Sequence, residues 1–175
     1  MGRPSSRARI LDAYQEILID SGSAAVTLDA VAARAGVSKG GLLYHFGSKE
    51  ALLDGLLDRL VQLTVADVEH ARNAPEGAVR YYLQSSVADA SMDKPAHRAA
   101  VAALRLFGSE PKVTETMFEV SRSWSELLAE HLDDRLTAEL VGLIGDGLYL
   151  RATMGQVEQP VLARLPEALG RLGVR

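Results

Sequence analysis

The chain has 175 residues, 47% hydrophobic and 24% charged, which is long enough for a core and ordinary for a globular protein. It holds no cysteine, which excludes disulfides, thiol catalysis and cysteine metal sites. The formal net charge of -4 divides unevenly, with a balance of +2 over residues 1–49 and −6 over the rest, so a basic working face on an acidic body is expected.

The opening MGRPSSRARILDAY lacks the long apolar run of a signal peptide, and no later segment reaches the roughly 18 apolar residues of a membrane span. A cytoplasmic protein with no membrane partner is the expectation. Ile10, Tyr14, Ile17 and Leu18 keep one face of a helix over about 6–21, which SGSAA breaks. Thr27 has the character of an N-cap, with Asp29 in the first turn and Val31, Ala32 and Ala35 inside a short helix that Gly36 stops. Ser38 caps another short helix with Leu42, Leu43 and Phe46 on its apolar side. Ser48 caps a longer one, in which Leu52, Leu53, Leu56, Leu57, Leu60 and Leu63 make a wide stripe. Prolines at 75, 95, 111 and 160, with Asp93, Ser109 and Asp133 as caps, predict helices near 75–91, 94–108, 110–132, 134–154 and 160–173. No strand-like alternation, internal repeat or low-complexity segment is present, and the fold class is all-α.

Residues 28–46 read as two short helices joined at Gly36, the spacing of a helix-turn-helix whose second helix enters a DNA major groove. Ala32 lets the two backbones approach. Gly40 and Gly41 weaken the second helix by about 1 kcal/mol each relative to Ala, yet leave its N-terminal end free of bulk for bases or phosphates. The stretch TLDAVAARAGVSKGGLLYHFGSKEALL, Thr27 to Leu53, resembles the DNA-binding segment of the tetracycline-repressor (TetR) family of bacterial transcriptional regulators. Thr27, Val31-Ala32, Ala35-Gly36-Val37-Ser38, Tyr44-His45-Phe46, Lys49 and Leu52 carry the likeness.

That resemblance implies a three-helix DNA-binding domain over residues 1–49. A helical ligand-binding and dimerisation domain follows over 50–175, with about nine helices in all. It implies phosphate contact from Thr27, Lys39, Tyr44, His45 and Lys49, and base reading by Lys39, Tyr44, Leu43 and Ser38 beside the bare Gly40 and Gly41. Arg3 and Arg7 form an N-terminal arm for the minor groove or the backbone. The partners implied are a palindromic double-stranded operator, a small-molecule effector of unknown identity that releases a repressor, and a second copy. The two copies join through helices near 134–154 and 160–173, where Ala138, Gly142, Gly145 and Gly147 allow close approach.

Tyr81, Tyr82, Met92, His97, Phe107, Met117, Phe118 and Trp124 could line an apolar cavity. His97 and Arg105, eight residues apart, fall near one helix face and hint at an anionic group on the ligand. No cofactor, metal or enzyme activity is expected. The pairs Asp67–His70 and His131–Asp134 lack further ligands, and SKGG is not followed by the Gly-Lys-Ser/Thr of a P-loop. The alternative is a helical small-molecule-binding protein without sequence-specific DNA binding, against which Lys39, Tyr44, His45 and Lys49 all stand.

Overall fold

A computed structural model describes residues 5–174. Among them are ten α-helices and one 3-10 turn, and no strand. The helices are α1 (Ser6–Ser21), α2 (Leu28–Ala35), α3 (Lys39–His45), α4 (Lys49–Arg72), α5 (Ala78–Ala88), α6 (Pro95–Leu104), α7 (Pro111–His131), α8 (Arg135–Thr153), α9 (Pro160–Ala163) and α10 (Leu165–Arg171). The 3-10 turn Ser23–Ala25 fills the predicted SGSAA break. No helix among the described residues is long and apolar enough to cross a membrane.

The chain packs as two compact units. One reaches to Gln62 and adds Arg98–Met117, and the other gathers Leu63–His97 with Phe118–Arg175. The first unit therefore takes in more chain than residues 1–49, because the first turns of α4 and the segment from Arg98 pack with α1. Arg98 pairs with Glu16 at 3.5 Å, Arg105 donates to the Ile19 carbonyl at 3.0 Å, and Lys112 bridges Glu50 and Asp54 at 3.0 and 2.9 Å. Ile10, Leu11, Leu18, Val31, Leu42, Leu52 and Leu56 are almost wholly buried in this unit.

The second unit closes around α5 against α8, with Val79, Tyr82, Leu83, Leu128, Val141, Leu148, Leu165 and Leu169 in one cluster. Tyr82 crosses α8 at Gly145, where an added Cβ would lie 2.3 Å from the ring.

Several predicted ends move for identifiable reasons. The helix expected from residue 75 begins at Ala78, because Gly77 is left-handed at φ 90° and ends a turn. The helix expected to reach 108 ends at Leu104, and the turns that follow lead to Gly108 at φ 81°. Ser109 does not cap α7; its hydroxyl donates back to the Leu106 carbonyl at 2.9 Å. The cap of α8 is Asp134 rather than Asp133, its carboxylate accepting from the Thr137 amide at 2.8 Å. These hydrogen bonds hold the Asp134 carboxyl below its ordinary value. The last helix is split at Arg164, since Pro166 has no N–H to carry the ladder across.

Candidate nucleic-acid interface

The helix-turn-helix is built from the caps outward. Thr27 Oγ1 accepts from the Ala30 amide at 3.0 Å and opens α2. At its far end Gly36 is left-handed at φ 63°. The Gly36 amide donates to the Ala33 carbonyl at 3.2 Å and the Val37 amide to Ala32 at 3.1 Å, a Schellman ending that turns the chain sharply. Arg9 of α1 donates to the Ala35 carbonyl at 3.2 Å, placing a guanidinium at the negative end of α2. Ser38 then caps α3 by accepting from the Gly41 amide at 3.0 Å.

The two glycines of α3 serve different ends. A Cβ at Gly41 would sit 3.2 Å from Ser38 Oγ, so the cap itself favours a small residue there. At Gly40 the nearest atom would be Ser38 Oγ at 4.0 Å. Nothing inside the unit asks Gly40 to be bare.

Leu42 is fully buried and anchors α3, while Phe46 ends it with its amide on the Leu42 carbonyl at 2.8 Å. The opposite face carries Lys39, Gly40, Leu43, Tyr44 and His45, all exposed. Tyr44 is 86% exposed and stands edge-on to His45 with ring centroids 5.1 Å apart. An aromatic side chain so bare, in a short helix already held by Leu42, contributes little to the unit's own packing. Ser48 caps α4 by accepting from the Ala51 amide at 3.1 Å, which puts the exposed Lys49 in its first turn.

Arg3 lies outside the described residues. Arg7 is not in an arm: it is the second residue of α1, and its guanidinium lies 5.0 Å from the centroid of the Phe46 ring. Three further polar residues hold the interface and have no signal at helical spacing. Arg9 is one. Arg59 of α4 is another, donating to Asp12 at 2.6 Å, to Gln15 and to the Ala8 carbonyl at 3.3 Å. Asp29, ten residues before Lys39, pairs with it at 3.0 Å.

The residues expected to line a ligand cavity divide between the units. In the second, Tyr82 donates to the Gly142 carbonyl at 3.1 Å and packs its ring 5.2 Å from that of Trp124. Tyr81 donates to Asp67 at 2.6 Å, and His97 Nδ1 meets the Tyr149 hydroxyl at 2.6 Å. Phe118 is exposed. In the first unit Phe107 is exposed and Met117 is half-buried. Arg105 follows the end of α6, so the helical spacing that put it on the His97 face does not hold. None of these eight lines the open groove of about 650 Å³ between α7 and α8, which is bounded by Ser121, Arg122, Ser125, Arg135, Glu139 and Leu143 among others.

The small residues of α8 also divide. Ala138 and Gly145 are buried in their own unit, a Cβ on Gly142 would meet Leu128 at 3.9 Å, and Gly147 faces open space. Leu136, Leu140, Leu143, Leu150 and Met154 form an exposed apolar stripe in register with Gly147, at alternating steps of four and three. Leu165 and Leu169 of α10 are buried in the unit's own core, with Val161, Leu162 and Leu172 packed against it.

Comparisons with known proteins agree with this arrangement. Residues 10–56 match the model of bacterial regulatory proteins of the tetR family, and residues 76–172 match a tetracyclin repressor-like C-terminal domain. The HTH-type transcriptional regulator BetI of Burkholderia thailandensis is 26% identical over 163 residues, covering 87% of this chain and 84% of its own. The structure of SCO7518 from Streptomyces coelicolor A3(2) is similar at 28% identity and a TM-score of 0.70, covering 97% of this chain and 98% of that one. The multidrug binding protein EbrR, solved in complex with malachite green, shares the fold at 23% identity and a TM-score of 0.69 over 97% of this chain and 98% of its own. With an exposed recognition helix and family matches over both of its parts, the chain belongs to the tetR family of bacterial regulatory proteins, DNA-binding transcriptional regulators.

Proposed function

We propose that the protein is a ligand-responsive repressor that binds a palindromic operator as a homodimer in the cytoplasm and is released by a small-molecule effector. The observation that carries the reading is the outward face of α3. Lys39, Leu43, Tyr44 and His45 stand exposed around a glycine with no internal reason to be bare. Lys39 and Lys49 supply charge for phosphates; Ser38, Leu43 and Tyr44 supply contacts to base edges and thymine methyl groups. Residues 1–49 act as the DNA-binding part and residues 50–175 as the sensing and pairing part.

One short helix reads too few bases for a genome, so two copies are required, and their two-fold axis makes the operator a palindrome. The α8 stripe supports pairing there, since exposed leucines at coiled-coil spacing leave apolar area that a second α8 would cover. The segment 160–173 contributes to pairing through its outer face. An effector held near Tyr81, Tyr82, His97, Trp124 and Phe118 would favour a state in which the two recognition helices no longer match grooves about 34 Å apart. Arg105, Phe107 and Met117 belong to the same proposed sensing function, from the first unit. No chemical step is required of the protein, and no enzymatic activity is assigned to it.

The test is enrichment of random genomic fragments at two salt concentrations, with a Lys39→Ala, Tyr44→Phe double variant in parallel. One palindrome enriched by wild type and lost in the variant supports the reading. About eight phosphate contacts would give a slope of log K against log salt near −7. A flat slope would sink it.

A further inference from the structure

Lys39 is the first residue of α3 and an exposed cation on its outward face, yet its ammonium is already engaged. It meets the Asp29 carboxylate at 3.0 Å, with 58% of the lysine and 72% of the aspartate side chain exposed. Asp29 lies in the first turn of α2, just after the Thr27 cap. The amide dipoles at that end attract anions, so a DNA phosphate and the Asp29 carboxylate compete for one place and one ammonium. Arg34, in the last turn of α2, is occupied separately by Glu16 and Asp20 at 3.3 and 3.5 Å. With residues 1–49 balanced at only +2, a single masked lysine is a large fraction of the attraction for DNA.

Resting on the DNA-binding reading above, we propose that Asp29 is a positioning residue that restrains Lys39. The restraint makes this lysine's contact with DNA conditional on an acceptor arriving in register. Where a phosphate or base edge of the operator reaches the ammonium, the exposed bridge yields, since such a pair shifts an equilibrium by only about fivefold at most. Where no acceptor arrives in place, Asp29 keeps the lysine against α2. Free of Asp29, the long flexible side chain would find any nearby phosphate. The carboxylate thus lowers affinity for random DNA more than affinity for the operator.

The test uses the whole 175-residue chain and a random-sequence 30-bp duplex, titrated over a range of salt. Asp29→Asn should bind about threefold tighter than wild type and steepen the salt slope by about 0.9 per protomer, the release of one more counterion. Asp29→Glu, which keeps the charge within reach, should restore wild-type binding. In a Lys39→Gln background, Asp29→Asn should gain nothing. Thermal melts of every variant separate a lost first-turn acid from a change at the DNA face. An equal gain in the Lys39→Gln background would make Asp29 a diffuse charge and overturn the proposal; so would no gain at all. If wild type and all variants leave the duplex unbound at every salt concentration, the DNA-binding reading falls too, an outcome distinct from a bound but insensitive Asp29.

Discussion

Each unit seats an aromatic ring on a helical glycine, and the two seats are built differently. In the first, Phe46 lies on Gly55 of α4, where an added Cβ would come within 2.8 Å of the ring and 3.1 Å of Leu11. In the second, Tyr82 lies on Gly145 of α8, where the Cβ would come within 2.3 to 2.5 Å of three of its atoms. Phe46 has no polar group to satisfy, and its ring lies under the Arg7 guanidinium. Tyr82 is held at both ends, by Trp124 beside the ring and by the Gly142 carbonyl at its hydroxyl. Burial, with Asp146 nearby, holds that phenol far above its ordinary pKa, so it remains a neutral donor. A ring without a hydrogen bond gives a few tenths of an ångström more easily than one whose hydroxyl is pinned. The outer faces differ as well: the first unit shows cations and a tyrosine, the second a row of leucines.

The largest expected effect comes from breaking that row. In the proposed dimer, Leu140→Glu with Leu143→Glu removes four leucines from the paired stripes, at about 1.5 kcal/mol each, and adds like charges across the axis. Sedimentation should show a monomer with an unchanged helical spectrum, and half-site affinity only. A dimer that survives both charges would show that pairing uses another face. Next comes Gly145→Ala, which should cost about 2 kcal/mol in denaturant unfolding as Tyr82 is driven from its seat. Gly55→Ala should cost clearly less, because about 1 kcal/mol of helix propensity offsets the milder crowding. Equal costs at the two glycines would erase the distinction between the seats.

Arg59→Met tests how the first unit is fastened. It keeps the packing of the stem but strips donors from Asp12, the buried Gln15 and the Ala8 carbonyl, for a loss of about 2 kcal/mol. Tyr44→Ala lies on the outer face and should change stability by less than about 0.5 kcal/mol while weakening operator binding about tenfold.

Local signals were the legible ones. The caps at Thr27, Ser38 and Ser48 and the stop at Gly36 each act within four residues, so the helix-turn-helix could be read almost residue by residue. The ends of α5 and α6 could not, because Gly77 and Gly108 take left-handed turns that no periodicity announces. Neither could the fasteners. Arg9 reaches Ala35, Lys39 reaches Asp29 and Arg59 reaches Gln15 across gaps in sequence that only the packed helices close. Gly145 stood out as small, but the sequence could not show that its neighbour is Tyr82 of the same unit rather than a second chain. Counting turns pairs His97 with Arg105, and the count fails because α6 stops one residue short of Arg105.

The smallest expected effect again sets the units apart, and it follows from the sign of one pKa shift. His97 is 5% exposed, with Nδ1 against the Tyr149 hydroxyl. Burial lowers its pKa from the ordinary 6.5 and pushes the Tyr149 phenol up to about 12, so in the fold both rings are neutral at pH 7. The unfolded chain takes up the histidine proton first as pH falls through 6.5, so it binds more protons than the fold in that window. Stability therefore rises with pH there and is lost on acidification, until the folded histidine also titrates. His45, the histidine of the first unit, is exposed on α3. Trp124 is the only tryptophan in the chain and packs on Tyr82, so its fluorescence reports the second unit. Between pH 7.5 and 5.5 the Trp124-detected melting temperature should fall further in wild type than in His97→Gln. His45→Gln should leave that difference unchanged. An identical fall in wild type and His97→Gln would assign the acid sensitivity to other groups and remove the buried His97–Tyr149 pair from the contrast between the units.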